Sequence, residues 1–399
     1  MTPLATGGVK NHCIKRANLT PILGIVAALA AALAVASLVP QGDRAIAQAS
    51  GPCTGDLTAA GVPQLAGPRL RMGIGPGGRA GAIGPPVPLT PIDRGKTLAA
   101  LSRLRPAHRP FVLRLNRFFW SDGWRGIRHF ERLTRLYTRR GYRVELQLRY
   151  HPRPEQEGDI HAWVGFVRRV VRRFGPNPRV TGLQVTNEVN FYPFAPDASD
   201  SAYEGARRAL VRGVEAAHRL IHQLGFDHLK VGFNWAYRTD PNREASFWGF
   251  LRQAGGKRFP RSVDWVGLDA YPGTVFPPTE PPVGTGYRDG MVNAMSQLRQ
   301  CFMPIARLGR DIPIHVEENG WPTGPGRPES EQVRAMRQMV GAVNDFRGTY
   351  NVTDYRWFDL RDHNSSGPNF QQHYGLLRDD YSPKPAFGVY RDLVRRLAR

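Results

Sequence analysis

Short apolar, β-branched runs alternate along this chain with longer stretches whose apolar positions recur every three to four residues. The short runs predict strands at 69–74, 111–116, 143–150, 180–187, 229–234, 263–270, 312–318 and 352–358. Helical periodicity fills the gaps at about 94–105, 124–140, 159–174, 201–224, 243–255, 287–307, 329–347 and 385–398. In the fourth of these, Ala209, Leu210, Val214, Ala217 and Leu220 keep one apolar stripe. Strict alternation of strand and helix implies parallel strands joined by crossover helices. Eight such units predict a single (β/α)8 TIM barrel over residues 69–399, with an open doubly wound sheet as the alternative.

In a barrel every strand opens its C-terminal end on one face. There the fourth run ends in Asn187-Glu188, and the seventh, starting at Ile312, ends in Glu317-Glu318 before the turn residues Asn319 and Gly320. The two ends face each other across the mouth. The Gly73-Ile-Gly75-Pro-Gly77-Gly78 run matches a dinucleotide-binding pattern. The prolines and glycines that follow deny it the helix N-terminus on which a pyrophosphate would sit, so it reads as the loop after the first strand.

Composition adds a compartment and limits the partners. Lys10, Lys15 and Arg16 precede an apolar run from Ile22 to Val39, and Ala45-Ile-Ala47 offers a small-x-small cleavage site. Residues 1–47 therefore read as a signal peptide or an N-terminal membrane anchor, and 48–68 as an extension or linker. Either way the body is expected to be secreted, or held at the outer face of the membrane. The net charge is +22, but 49 of the 55 basic residues are arginines spread over the whole chain. That spread suits a solvated surface, or attraction to an anionic envelope polymer. It has no block or module that binds nucleic acid. Of three cysteines, Cys53 and Cys301 lie in the exported body. They could be joined, pinning the extension to a late helix, or remain separate thiols. His218 and His222 have metal-ligand spacing without a third ligand, and read as a surface pair.

Two carboxyl groups at facing strand ends suit glycoside hydrolysis. A glutamate in an apolar setting beside another carboxylate can keep its proton, which makes Glu188 a general acid. Asn187 can both donate to and accept from a sugar hydroxyl. Strand alternation lets only one of Glu317 and Glu318 face the mouth; Glu318 is the choice, with Glu317 a paired side chain outside the centre.

These residues resemble the large clan of retaining glycoside hydrolases with (β/α)8 barrels, which carry Asn-Glu after strand four and a nucleophilic Glu after strand seven. Glu318-Asn-Gly-Trp-Pro322 is similar to the Glu-x-Gly-Trp-Pro motif of endo-1,3-β-glucanases. The resemblance covers about residues 69–398 and implies further roles. Arg114 matches the strand-two Arg of family 5 that holds the nucleophile anionic, and Tyr271 the strand-six Tyr that hydrogen-bonds it. Trp357 matches the indole beneath the sugar, and His151 lies near a strand-three His. Trp235 and Trp321 join Trp120, Trp124 and Tyr192 as aromatics expected near the rim. One departure is plain: family 5 commonly carries His where this chain has Asp269. The expectation is a retaining glycosidase acting on a polysaccharide or oligosaccharide by double displacement. Glu188 would be acid/base and Glu318 nucleophile, with no metal or organic cofactor. A transglycosidase and a non-catalytic carbohydrate-binding, envelope-associated barrel are the alternatives.

Overall fold

The computed structural model describes Cys53 and residues 57–77, 88–191, 196–237, 241–274 and 286–398. The predicted targeting segment and Tyr192 lie outside them. Eight parallel strands close into a barrel in sequence order. They are β1 (Arg71–Ile74), β2 (Val112–Phe119), β3 (Arg143–Arg149), β4 (Val180–Val185), β5 (Lys230–Ala236), β6 (Trp265–Asp269), β7 (Ile314–Asn319) and β8 (Val352–Trp357). The helices are α1 (Arg94–Leu104), α2 (Gly123–Thr138), α3 (Ile160–Phe174), α4 (Ala206–Gln223), α5 (Pro241–Gly255), α6 (Tyr287–Ser296), α7 (Met303–Ile305), α8 (Glu329–Asp345), α9 (Arg347–Tyr350) and α10 (Pro385–Leu397). All eight predicted strands are present, and the barrel, not the open sheet, is the fold.

Between strands and helices lies an apolar layer that includes Leu113, Leu146, Val231, Val266 and Val316, all buried. The barrel interior is different. Arg114, Glu145, Gln147, Gln184, Asn234, His315, Glu317, Asp354 and Arg356 are buried polar side chains on strands. Their bonds join strands that are not neighbours in the sheet, which only groups pointing into the barrel can do. Arg114 of β2 donates to Gln184 of β4 at 2.7 Å, and Arg356 of β8 lies 3.3 Å from Glu145 of β3. Branched aliphatic side chains dominate most barrel interiors. Here the upper interior is an ionic network, and every member needs a partner because burying an unpaired charge is costly.

The N-terminal extension lies along the outside. The Leu57 N–H donates to Asn293 at 3.0 Å and the Ala59 N–H to Asp289 at 2.7 Å, both on α6. Cys53 and Cys301 are joined in a disulfide spanning 248 residues. Cys301 sits in a π-helical turn, Gln297–Phe302, that interrupts the single helix predicted for 287–307.

Candidate active site

β4 ends at Val185, and the next three residues turn sharply. Thr186 has φ 67° and Glu188 φ 47°, backbone conformations that L-residues adopt only under constraint. The constraint is visible. Gln184 Nε2 donates to the Thr186 carbonyl at 2.8 Å, the Asn187 N–H to Asp200 at 2.9 Å, and the Glu188 N–H to Asn234 Oδ1 at 2.9 Å. Asp200 is itself fixed by Arg149, 2.7 Å away. Glu188 is thus aimed by its backbone.

Opposite it, Glu318 is held by three donors, the most distant being Gln147 Nε2 at 3.4 Å from Oε1. Arg114 Nη1 donates to Oε1 at 2.7 Å and the Tyr271 hydroxyl to Oε2 at 2.7 Å. Burial pulls the Arg114 pKa down, but the charges of Glu318, Asp269, Glu317 and Glu145 outweigh it and raise it. Burial, then Glu318, pushes Tyr271 well above its ordinary value, so it stays a donor. Glu188 carries a pKa of about 8, first through burial and then through Glu318. Carboxylate oxygens of Glu188, Asp269 and Glu318 all lie within 4.8 Å of one another.

Glu317 corrects the strand-parity expectation. It lies at the barrel centre, not outside it, 3.4 Å from Arg114 Nε and 3.2 Å from His315. Register irregularities between Leu268 and Asp269 of β6, and between Val316 and Asn319 of β7, break the two-residue period. Both glutamates therefore reach inward, Glu317 one layer below Glu318. In that lower layer burial, then Glu317, raises Glu145 well above its ordinary value, and burial lowers His315 to about 4. Glu145, His315 and Glu317 lie within 4.8 Å of one another. By spacing, either carboxylate cluster could accept a cation. Arg114 already reaches into both, at 2.7 Å from Glu318 and 3.4 Å from Glu317, and supplies positive charge there.

Two tryptophans fall elsewhere. Trp235 is fully buried between β5 and the helices, donating to Glu244 and packed against Trp248 and Phe302. It alternates with inward-facing Asn234 and so faces away from the mouth. Trp357 alternates with inward-facing Arg356 and packs toward Tyr390 of α10, ring centroids 6.2 Å apart. The side chain after it, Phe358, meets Tyr271 at 6.2 Å and Tyr374 at 5.5 Å. Phe358 is thus the aromatic beside the Glu318 clamp.

Trp321 is buried beneath the Arg327 guanidinium, 5.3 Å from its ring. His151 stands beyond the end of β3, with Nδ1 3.2 Å from Ser121 Oγ and its ring 4.4 Å from Phe119. Burial and Arg149 lower its pKa. Asn187 is buried within the site. Its Oδ1 accepts from Gln147 at 2.7 Å and Asn234 at 2.8 Å, and its Nδ2 donates to the Ala198 carbonyl at 3.1 Å. Trp120 is packed against Tyr150, while Trp124 is 61% exposed.

Gln147, Gln184 and Asn234 are members the sequence alone does not single out, and Asp269 stands out there only as the residue in place of a His. Asn234 connects the centre, accepting from the Glu188 N–H and donating to both Asn187 and Asp269. A signal was available: polar residues at alternate positions in otherwise apolar strands, as in Glu145-Leu-Gln147, mark the inward face.

No protein-family model and no curated protein sequence matches the chain. Solved structures do. A β-glucuronidase from Ruminococcus gnavus aligns at 14% identity and TM-score 0.48, over 81% of this chain and 48% of its own. A β-galacturonidase from Eisenbergiella tayi aligns at 16% and 0.49, over 76% and 47%. This chain spans about half the length of those two. A fungal β-1,4-galactanase aligns at 11% and 0.52, over 73% of this chain and 89% of its own. The likeness is one of fold, the closed (β/α)8 barrel.

Proposed function

We propose that the protein is a retaining glycosidase that cleaves an O-glycosidic bond of a polysaccharide or oligosaccharide. One observation carries the reading: carboxylate oxygens of Glu188 and Glu318 lie within 4.8 Å. Retaining pairs stand about 5–5.5 Å apart, whereas inverting pairs leave roughly 6.5–9.5 Å for a water. The two groups also have opposite environments. Glu188 keeps its proton near neutral pH, and Glu318 is bound by a guanidinium and a phenol.

In the first step Glu318 attacks the anomeric carbon and forms an ester. The bond to the leaving oxygen breaks as that oxygen takes the Glu188 proton. In the second, Glu188 takes a proton from water, whose oxygen displaces Glu318 and releases the sugar. Phe358, with Tyr271 and Tyr374, would form the apolar wall against the sugar. The Cys53–Cys301 disulfide supports an oxidising compartment, and with it the reading of residues 1–47 as an export segment or anchor.

The test is a hydrolysis screen over β-glucans, mannans, xylans, arabinans and galactans. The galactanase likeness adds β-1,4-galactan, and the net charge adds anionic polymers. On the substrate found, Glu318→Ala should lose turnover by at least about 10⁴-fold. Azide should restore it by a single direct displacement and yield a glycosyl azide of inverted anomeric configuration. Full turnover by Glu318→Ala without azide would overturn the assignment.

A further inference from the structure

Asp269 is not used by the two-carboxylate mechanism, yet it stands in its centre. It is fully buried at the end of β6, paired in register with Glu318. Its carboxylate lies within 4.8 Å of both Glu188 and Glu318. Oδ2 accepts a hydrogen bond from Asn234 Nδ2, while Oδ1 is buried with no hydrogen-bond partner among the described residues.

Charge decides what such a group can be. The groups that face it are Glu318 and Glu317 of β7, Arg114 of β2, Glu188 beyond β4 and Tyr271 beyond β6. In the upper layer Arg114 offers one positive charge to three carboxyl groups, since Arg149, which also acts on Glu188, is paired with Asp200. A buried layer tolerates little net charge, so two of the three hold protons. Glu318, bound by Arg114 and Tyr271, is the one that stays charged.

Resting on the glycosidase reading, we propose that Asp269 is a positioning residue that works as a neutral acid. Its Oδ1–H hydroxyl donates toward whichever catalytic carboxylate carries the negative charge. The bookkeeping closes at both stages. In the free enzyme the charge is on Glu318, with Glu188 and Asp269 protonated. In the glycosyl-enzyme Glu318 is a neutral ester, Glu188 has given its proton to the leaving oxygen, and Asp269 keeps its own. The layer is neutral with Arg114 each time. A carboxylic acid kept neutral in an apolar site can serve as a hydrogen-bond donor in this way, and burial, then Glu318, raises the Asp269 pKa well above its ordinary value. An ionised Asp269 would instead add a negative charge beside Glu188 and hold back the proton it must transfer.

The full chain labelled with carbon-13 at its side-chain carboxyl groups tests this with or without a substrate. At pH 7 one aspartate resonance should sit at the neutral-acid position, and it should vanish in Asp269→Asn. An Asp269 resonance at the carboxylate position at pH 7 overturns the proposal. Kinetics give the second readout. Asp269→Ala should lose on the order of 10²-fold in kcat with little change in KM, as for other single donors to developing charge. Asp269→Asn, which keeps both the acceptor for Asn234 and a donor, should recover most of that loss. Equal losses in the two variants also overturn it. Turnover that survives Glu318→Ala would sink the glycosidase reading alone, and the resonance would still report the state of Asp269.

Discussion

At the scale of single residues, what counts is which way a side chain leaves its strand. Trp357 and Phe358 are adjacent aromatics at the end of β8, and only the second meets the Glu318 clamp through Tyr271. Trp357 is fully buried against the helix layer. Phe358→Ala should therefore act on the substrate, raising KM or lowering kcat/KM by about tenfold, on the scale of one apolar contact of 1–3 kcal/mol. Trp357→Ala should act on the fold, destabilising it by about 3–5 kcal/mol through the cavity left behind. Steady-state kinetics and denaturant unfolding of the two variants separate the roles. A Trp357→Ala protein of native stability with a large KM defect would reverse them.

Among the elements, β7 and the N-terminal extension depart most from simple rules. The extension is tied by hydrogen bonds to α6 and by Cys53–Cys301 to the π-helical turn behind it. A cross-link spanning 248 residues removes much freedom from the unfolded chain, and native disulfides typically contribute about 2–5 kcal/mol. Cys53→Ser should lower the free energy of unfolding by that amount and shift the midpoint down, and residues 57–68 should become the first site of proteolysis. The wild-type protein in reductant should behave alike; equal midpoints with and without reductant would remove the disulfide from the stability of the fold. Strand identity was legible in the sequence because each strand is a short apolar run bounded by turn residues. The facing positions of Glu188 and Glu318 follow from counting strands. Facing was less legible. Glu317 escaped because the irregularities of β6 and β7 shift the period where parity was needed. Trp235 and Trp357 stand at strand ends, but Asn234 and Arg356 beside them occupy the inward face, so both indoles turn toward the helices.

For the whole molecule, the ionic interior makes stability depend on pH, each group with a definite sign. Glu188 has an ordinary value of 4.5 and a folded value of about 8, so between those limits the folded state binds more protons than the unfolded. Stability from this group is present below about 4.5 and is lost as the pH rises toward 8. Glu145 and Asp269, both raised by burial, act in the same direction. His315 opposes them. Its value falls from 6.5 to about 4 on burial, so its contribution is complete above 6.5 and is lost as the pH falls through that window. Below it, the charges of His315, Arg356 and Arg71 outweigh burial and hold Asp354 under its ordinary value of 3.8, so its contribution is lost in acid. Across pH 5 to 8 these three carboxyl groups contribute a decline, against which the lowered histidines His315, His151, His129 and His218 contribute a rise. Glu188→Gln removes one of the three without changing the neutral form, so its melting temperature should follow a more positive slope than the wild type's over that range. At pH 8 it should exceed that of the wild type by at least about 2 °C, the shift expected for roughly 1 kcal/mol in a chain of this size. Calorimetric scans of both proteins at pH 5 and pH 8 measure the difference of slopes directly. Parallel slopes would mean that Glu188 ionises as freely in the folded chain as in the unfolded one, and would remove the proton that the first chemical step requires.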